Sequence, residues 1–139
     1  MPLMTIVRGL PGSGKSTYAK KLADETGAVH IESDMYFEQG GEYKFDPSKL
    51  QAAHKWCQNE FRRLYQAGKD IIVSNTFTQI WEAEIYFDFF DIVYETEVIT
   101  LTENFGSIHG VPEITLERMK KRFDSHEKFC EHFGVSGND

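Results

Sequence analysis

The run Gly9-Leu10-Pro11-Gly12-Ser13-Gly14-Lys15-Ser16 constrains this chain more than any other feature. It satisfies G-x-x-x-x-G-K-[ST] at every fixed position, and it lies in the context that gives the pattern physical meaning. Residues 3–8 form a short apolar run that reads as a buried strand. Residues 16–26 read as a helix with Tyr18, Ala19, Leu22 and Ala23 on one face and Gly27 just past the end. Between them, glycines let the backbone wrap closely and turn its N–H groups inward. The helix start adds partial positive charge and free donors. Gly9, Pro11, Gly12, Ser13, Gly14, Lys15, Ser16 and Thr17 are therefore the expected cradle for a polyphosphate. Lys15 is expected to reach the β- and γ-phosphates, Ser16 to hold Mg²⁺ and Thr17 to assist at the α-phosphate. The ligand this implies is ATP or GTP with Mg²⁺.

The rest of the chain alternates in kind. Residues 28–31 form a second short strand, and residues 34–46 a polar, aromatic loop with Gly40-Gly41 as a hinge. Asp46-Pro47 is a helix start, an N-cap followed by proline, and Gly68 ends that helix. Ile71-Ile72-Val73 marks a third strand within residues 69–74. Thr78 caps a helix over residues 79–90, residues 97–102 form a fourth strand, and residues 104–111 are turn-rich. One amphipathic helix is expected from Pro112 to about His132, with Ile114, Leu116, Met119, Phe123 and Phe129 facing the core. The pattern predicts a single α/β domain over residues 1–139, a three-layer P-loop NTPase fold with helices on both faces of a parallel sheet. Ligands in such folds sit beyond the carboxyl ends of the strands.

Composition narrows the function classes. No apolar run is long enough to span a membrane, and the first residues lack the pattern of a signal peptide. Cys57 and Cys130 show neither metal spacing nor a disulfide framework, which suits a reducing, cytoplasmic setting. A net charge of −7 argues against binding extended nucleic acid, though not against a short nucleic-acid end. The aromatic stretch of Trp81, Tyr86, Phe87, Phe89 and Phe90 reads as core; if several of these rings are exposed, a homodimer interface becomes the better account.

Asp34 lies just past the second strand, at the ligand end of the sheet. A carboxylate there can accept the proton of an attacking hydroxyl or hold Mg²⁺. Glu32 alternates away and is expected to face solvent. With Asp34 the chain resembles a known family. The P-loop, Glu32-Ser33-Asp34-Met35-Tyr36-Phe37, Tyr43-Lys44-Phe45-Asp46-Pro47, Ala53-His54-Lys55-Trp56-Cys57, Val73-Ser74-Asn75-Thr76 and His109-Gly110-Val111-Pro112 fall in the order seen in small AAA-type P-loop proteins related to polynucleotide kinase. The resemblance implies strands ordered 2-3-1-4, Asp34 at the position of the general base, and Asn75 and Thr76 near the acceptor. His54, on the long helix, lies in the region that would cover the acceptor.

Three departures from that family stand out. Met35-Tyr36-Phe37 replaces the region that usually supplies an arginine for the acceptor phosphate, residues 102–109 hold no Lys or Arg for a lid, and Asn75 stands where an acid is usual. A cation must come from elsewhere if transfer is efficient, and Arg118 is the candidate, sharing a helix face with Arg122. The leading expectation is an ATP-dependent kinase acting on a nucleoside, small metabolite or nucleic-acid 5′ end. The rival is a nucleotide-dependent switch or slow hydrolase acting through a protein partner.

Overall fold

The computed structural model describes residues 2–88, 95–102 and 112–135. Strand β1, Leu3–Gly9, runs through the middle of the molecule, and its pattern is buried at almost every position. That is what a strand covered on both faces requires. It pairs in parallel with β3, Ile71–Asn75, and with β4, Glu95–Leu101; β3 also pairs in parallel with the short β2, Val29–Ile31. The order is β2-β3-β1-β4, as the resemblance implied.

Alternation along the strands divides the core. Met4 and Ile6 of β1, Ile71 and Val73 of β3 and Val98 of β4 face one side, where they pack with Phe61, Tyr86 and Phe129. These rings come from α2 (Leu50–Gln66), α3 (Ile80–Asp88) and α5 (His126–Phe133). Val7 and Ile72 face the other side, against Ala19 of α1, Lys15–Thr26. Helices therefore cover both faces of the sheet. Among the described residues, no helix is long and apolar enough to cross a membrane.

Four expectations need correction. The loop after β2 holds a 3₁₀ helix, Ser33–Glu38. The helix begun by Asp46-Pro47 starts as a 3₁₀ turn, Pro47–Lys49, before α2 takes over, with the Asp46 side chain accepting from Ser48 N. Strand β4 begins at Glu95, two residues before expectation. The last helix is two: α4, Glu113–Arg122, and α5, separated by an extended Phe123 and an N-cap at Ser125 that accepts from Lys128 N. Ile114 is 62% exposed, so α4 does not turn it toward the core. Trp81 is exposed and Tyr86 buried, while Phe89, Phe90 and the whole turn-rich segment with His109 lie outside the described residues.

Candidate functional site

The cradle follows directly on β1. Gly12 and Gly14 have φ of 85° and 83°, a region other residues rarely adopt, and this turns the loop back on itself before α1. Ser13 N donates to Leu10 O at 3.0 Å and closes the first turn. Gly9 has no room for a side chain: a Cβ there would collide with Ser13 Oγ and lie 3.1 Å from Leu101 O. The Ser13 hydroxyl is buried and has no hydrogen-bond partner among the described residues. Such a group is uncommon in a native interior and asks for a partner from outside the chain.

Lys15 opens α1 from a half-buried position. Burial holds its pKa below the usual lysine value, and Glu32 and then Asp34 act in the opposite direction. Among the described residues no hydrogen bond or ion pair ties it down. A half-buried ammonium in that state fits an anionic ligand.

Glu32 overturns its expectation. It is buried, not solvent-facing. Strand β2 stops at Ile31, and Glu32 continues in extended backbone at φ −152° and ψ 154°, which directs its carboxylate back beneath the P-loop. There Glu32 Oε2 accepts from Ser16 Oγ at 2.7 Å and from Ser74 Oγ at 2.9 Å. His30 Nε2 lies 2.7 Å from Ser74 Oγ and 3.8 Å from Glu32 Oε2. Desolvation lowers the His30 pKa against the pull of Glu32. The hydroxyl expected to hold Mg²⁺ is thus already oriented by a carboxylate, and that carboxylate by a second hydroxyl.

Asp34, one residue into the 3₁₀ helix, lies beside the Tyr43 hydroxyl. Burial first, and Asp34 next, push the Tyr43 phenol up to about 12. Ser33, between the two acids, anchors the turn. Its N–H donates to Asn75 Oδ1 at 2.9 Å, and its hydroxyl is 3.0 Å from His54 Nδ1. Asn75 Nδ2 in turn faces Cys57 Sγ at 3.8 Å. Asn75 and His54 are therefore brought to the same turn as Asp34, where they brace it. Thr76 meets the cradle through its carbonyl, which accepts from Gly9 N at 3.3 Å. Arg118 lies exposed on α4, and no hydrogen bond or ion pair holds it among the described residues.

Arg8 carries a structural duty that the sequence reading passed over. It is fully buried at the end of β1. Its Nε and Nη2 donate to Phe77 O at 3.0 and 2.9 Å, and Nη2 also donates to Asp124 O at 2.8 Å. The guanidinium lies 4.2 and 4.3 Å from the ring centres of Phe123 and Phe129. Burial lowers its pKa to about 10 although Asp124 opposes this, so it stays charged at neutral pH. A lone charge in an otherwise apolar strand run was the available signal.

A parallel sheet of this order with a glycine-rich cradle at the mouth of its central strand defines a P-loop nucleotide-binding fold of the kinase type. The AAA domain family model matches residues 4–104, and the chain belongs to that family as a small AAA-type, P-loop kinase-like protein. NEDD4-binding protein 2 from Homo sapiens is 40% identical over 86 residues, which is 60% of this chain and 5% of that protein. The chain thus spans a small part of this curated relative's length. A gluconokinase from Sinorhizobium meliloti has the same fold at 15% identity and a TM-score of 0.60, over 89% of this chain and 76% of its own. So does a chain of the Pnkp1/Rnl/Hen1 RNA repair complex, at 20% identity and a TM-score of 0.58, over 99% of this chain and 40% of its own.

Proposed function

We propose that this chain is an ATP-dependent kinase that passes the γ-phosphoryl of Mg·ATP to a hydroxyl acceptor held beside Asp34. The observation that carries this reading is Lys15, a half-buried ammonium without an ion-pair partner among the described residues, faced by Glu32 and Asp34 from the turn just beyond β2. The cation suits a phosphate chain, and one of the acids is available for the acceptor's proton. Gly9, Pro11, Gly12, Ser13, Gly14, Lys15, Ser16 and Thr17 hold the phosphates. Lys15 stabilises charge on the transferring group.

Mg²⁺ fits the hard oxygen donors of Ser16 and Asp34. Among the described residues no cluster of three or more His, Cys, Asp or Glu forms a cage, which suits an ion that keeps waters and substrate phosphates as ligands. When bound, it neutralises charge on the phosphates. Glu32 fixes the Ser16 hydroxyl toward that position. Glu32→Gln is expected to leave Mg-free nucleotide binding intact and to weaken the gain in affinity on adding Mg²⁺, measured by calorimetry; an unchanged gain would remove this role.

In the transfer, Asp34 takes the acceptor's proton as the acceptor oxygen bonds to phosphorus and the bond to the ADP oxygen breaks. Tyr43 fixes the Asp34 carboxylate, and Asn75, Thr76 and His54 support the acceptor side. Asp34→Asn, assayed with γ-labelled ATP and a panel of hydroxyl acceptors, should lower transfer by about 10²- to 10⁴-fold with ATP binding unchanged. Unchanged transfer would exclude Asp34 as the base.

A slow hydrolase or nucleotide switch is the second reading, favoured by the exposed position of Arg118 and by the absence of Lys or Arg from residues 102–109. Label passing only to water, whatever acceptor is offered, would select it.

A further inference from the structure

A cleft of about 610 Å³ opens beside the turn that carries Asp34. We infer that it is the acceptor subsite and that it takes a free nucleoside, with the base lying against Phe45 and Tyr36. This rests on the kinase reading above.

Position comes first. The Tyr36 and Phe37 walls of the cleft belong to the same 3₁₀ helix as Asp34. The opposite wall follows Tyr43, whose hydroxyl lies beside Asp34. Asp34 thus neighbours the cleft through this turn and through Tyr43, without itself lining it.

The walls favour a flat ring. Phe45 is 47% exposed, although its ring rests edge-on against Phe37 at 5.2 Å. Tyr36 is braced by Phe37 at 5.5 Å and by Trp56 at 6.5 Å. The backbone between these rings is pinned by Lys44 N to Phe37 O and Gly41 N to Glu38 O, each at 2.9 Å. Rings held in place with a face toward solvent make a stacking platform at low entropic cost, and Gln39 supplies an amide to read polar edges.

Charge and size narrow the ligand further. Lys44 and Lys49 on the rim are offset by Glu42 and Asp46, so the cleft carries no net charge, and the whole chain carries −7. This offers no track for the phosphates of a strand. The volume lies within the roughly 300–1,000 Å³ usual for small-molecule sites, and a lone sugar would leave much of it unfilled.

The test uses the full chain with Mg²⁺ in two arms. Calorimetry against a non-hydrolysable ATP analogue compares adenosine, cytidine, ribose and a 5′-hydroxyl oligonucleotide. Transfer from γ-labelled ATP is then followed to the same four. Nucleosides should bind about 10-fold or more tightly than ribose and should accept label. Phe45→Ala should raise the nucleoside KM about 10-fold with kcat and analogue affinity unchanged, and Phe45→Trp should restore it. Ribose matching the nucleosides, an indifferent Phe45→Ala, or an oligonucleotide preferred over both nucleosides would overturn the subsite while leaving the kinase reading in place. Phe45-dependent nucleoside binding with label moving only to water would overturn the kinase reading and, with it, the acceptor role.

Discussion

On the donor side of the site the polar groups are buried and joined: Ser16 to Glu32, Glu32 to Ser74, Ser74 to His30. On the other side, across the 3₁₀ turn, Phe45 stands half in solvent and the contacts are ring on ring. The first arrangement fixes hydroxyl and carboxylate directions before any ligand arrives, as electrostatic stabilisation requires. The second fixes a surface and leaves its ligand to find the best fit. Under the kinase reading proposed above, the same donor returns at each turnover while the acceptor can differ, so rigidity belongs on the phosphate side.

The comparison breaks most sharply at Lys15. Lys15→Ala should reduce transfer by about 10³-fold or abolish triphosphate binding, with acceptor binding unaffected when each is measured separately. Arg8→Met should strike both sides together, because it leaves the carbonyls of Phe77 and Asp124 without a donor. We expect a loss of ~3 kcal/mol, read in a denaturant titration; a loss under about 0.5 kcal/mol would show that water replaces the guanidinium. Tyr43→Phe should act on the acceptor side alone, lowering kcat ~5- to 10-fold through a less well held Asp34 and sparing the KM for ATP.

The smallest effect is one of pH. The folded pKa of His30 lies below its unfolded value of 6.5, because burial disfavours the cation more than Glu32 favours it. The native state therefore binds fewer protons, and stability present above pH 6.5 is lost as pH falls through the folded pKa. His30→Gln should flatten that part of the stability profile, and an unaltered slope would assign it to other groups.

Legibility in the sequence followed distance along the chain. The P-loop was readable because its residues are consecutive and its glycine geometry is local. The sheet followed from alternating apolar runs, and its order from family resemblance. Glu32 was misjudged because alternation tells which residues share a face but not whether that face is covered, and here Ser16 and Ser74 cover it. Its partners, 16 and 42 residues away, are set by tertiary packing. The break between α4 and α5 had a faint local signal in Ser125, whose cap was hidden by an apolar period that runs across it. Phe45 and Tyr36 were visible as residues, but a cleft between them is a property of the folded surface.

Arg8 also bears on how much chain the domain needs. The family match ends at residue 104, yet the charge at the mouth of β1 is quenched by a carbonyl at 124 and by rings at 123 and 129. A fragment cut at the edge of the matched segment would keep the Phe77 carbonyl but strip the guanidinium of Asp124 O and of both rings, next to Gly9 at the root of the nucleotide loop. The carboxy-terminal helices are therefore a keystone for the P-loop end of the sheet, and shortened versions should forfeit nucleotide affinity along with stability.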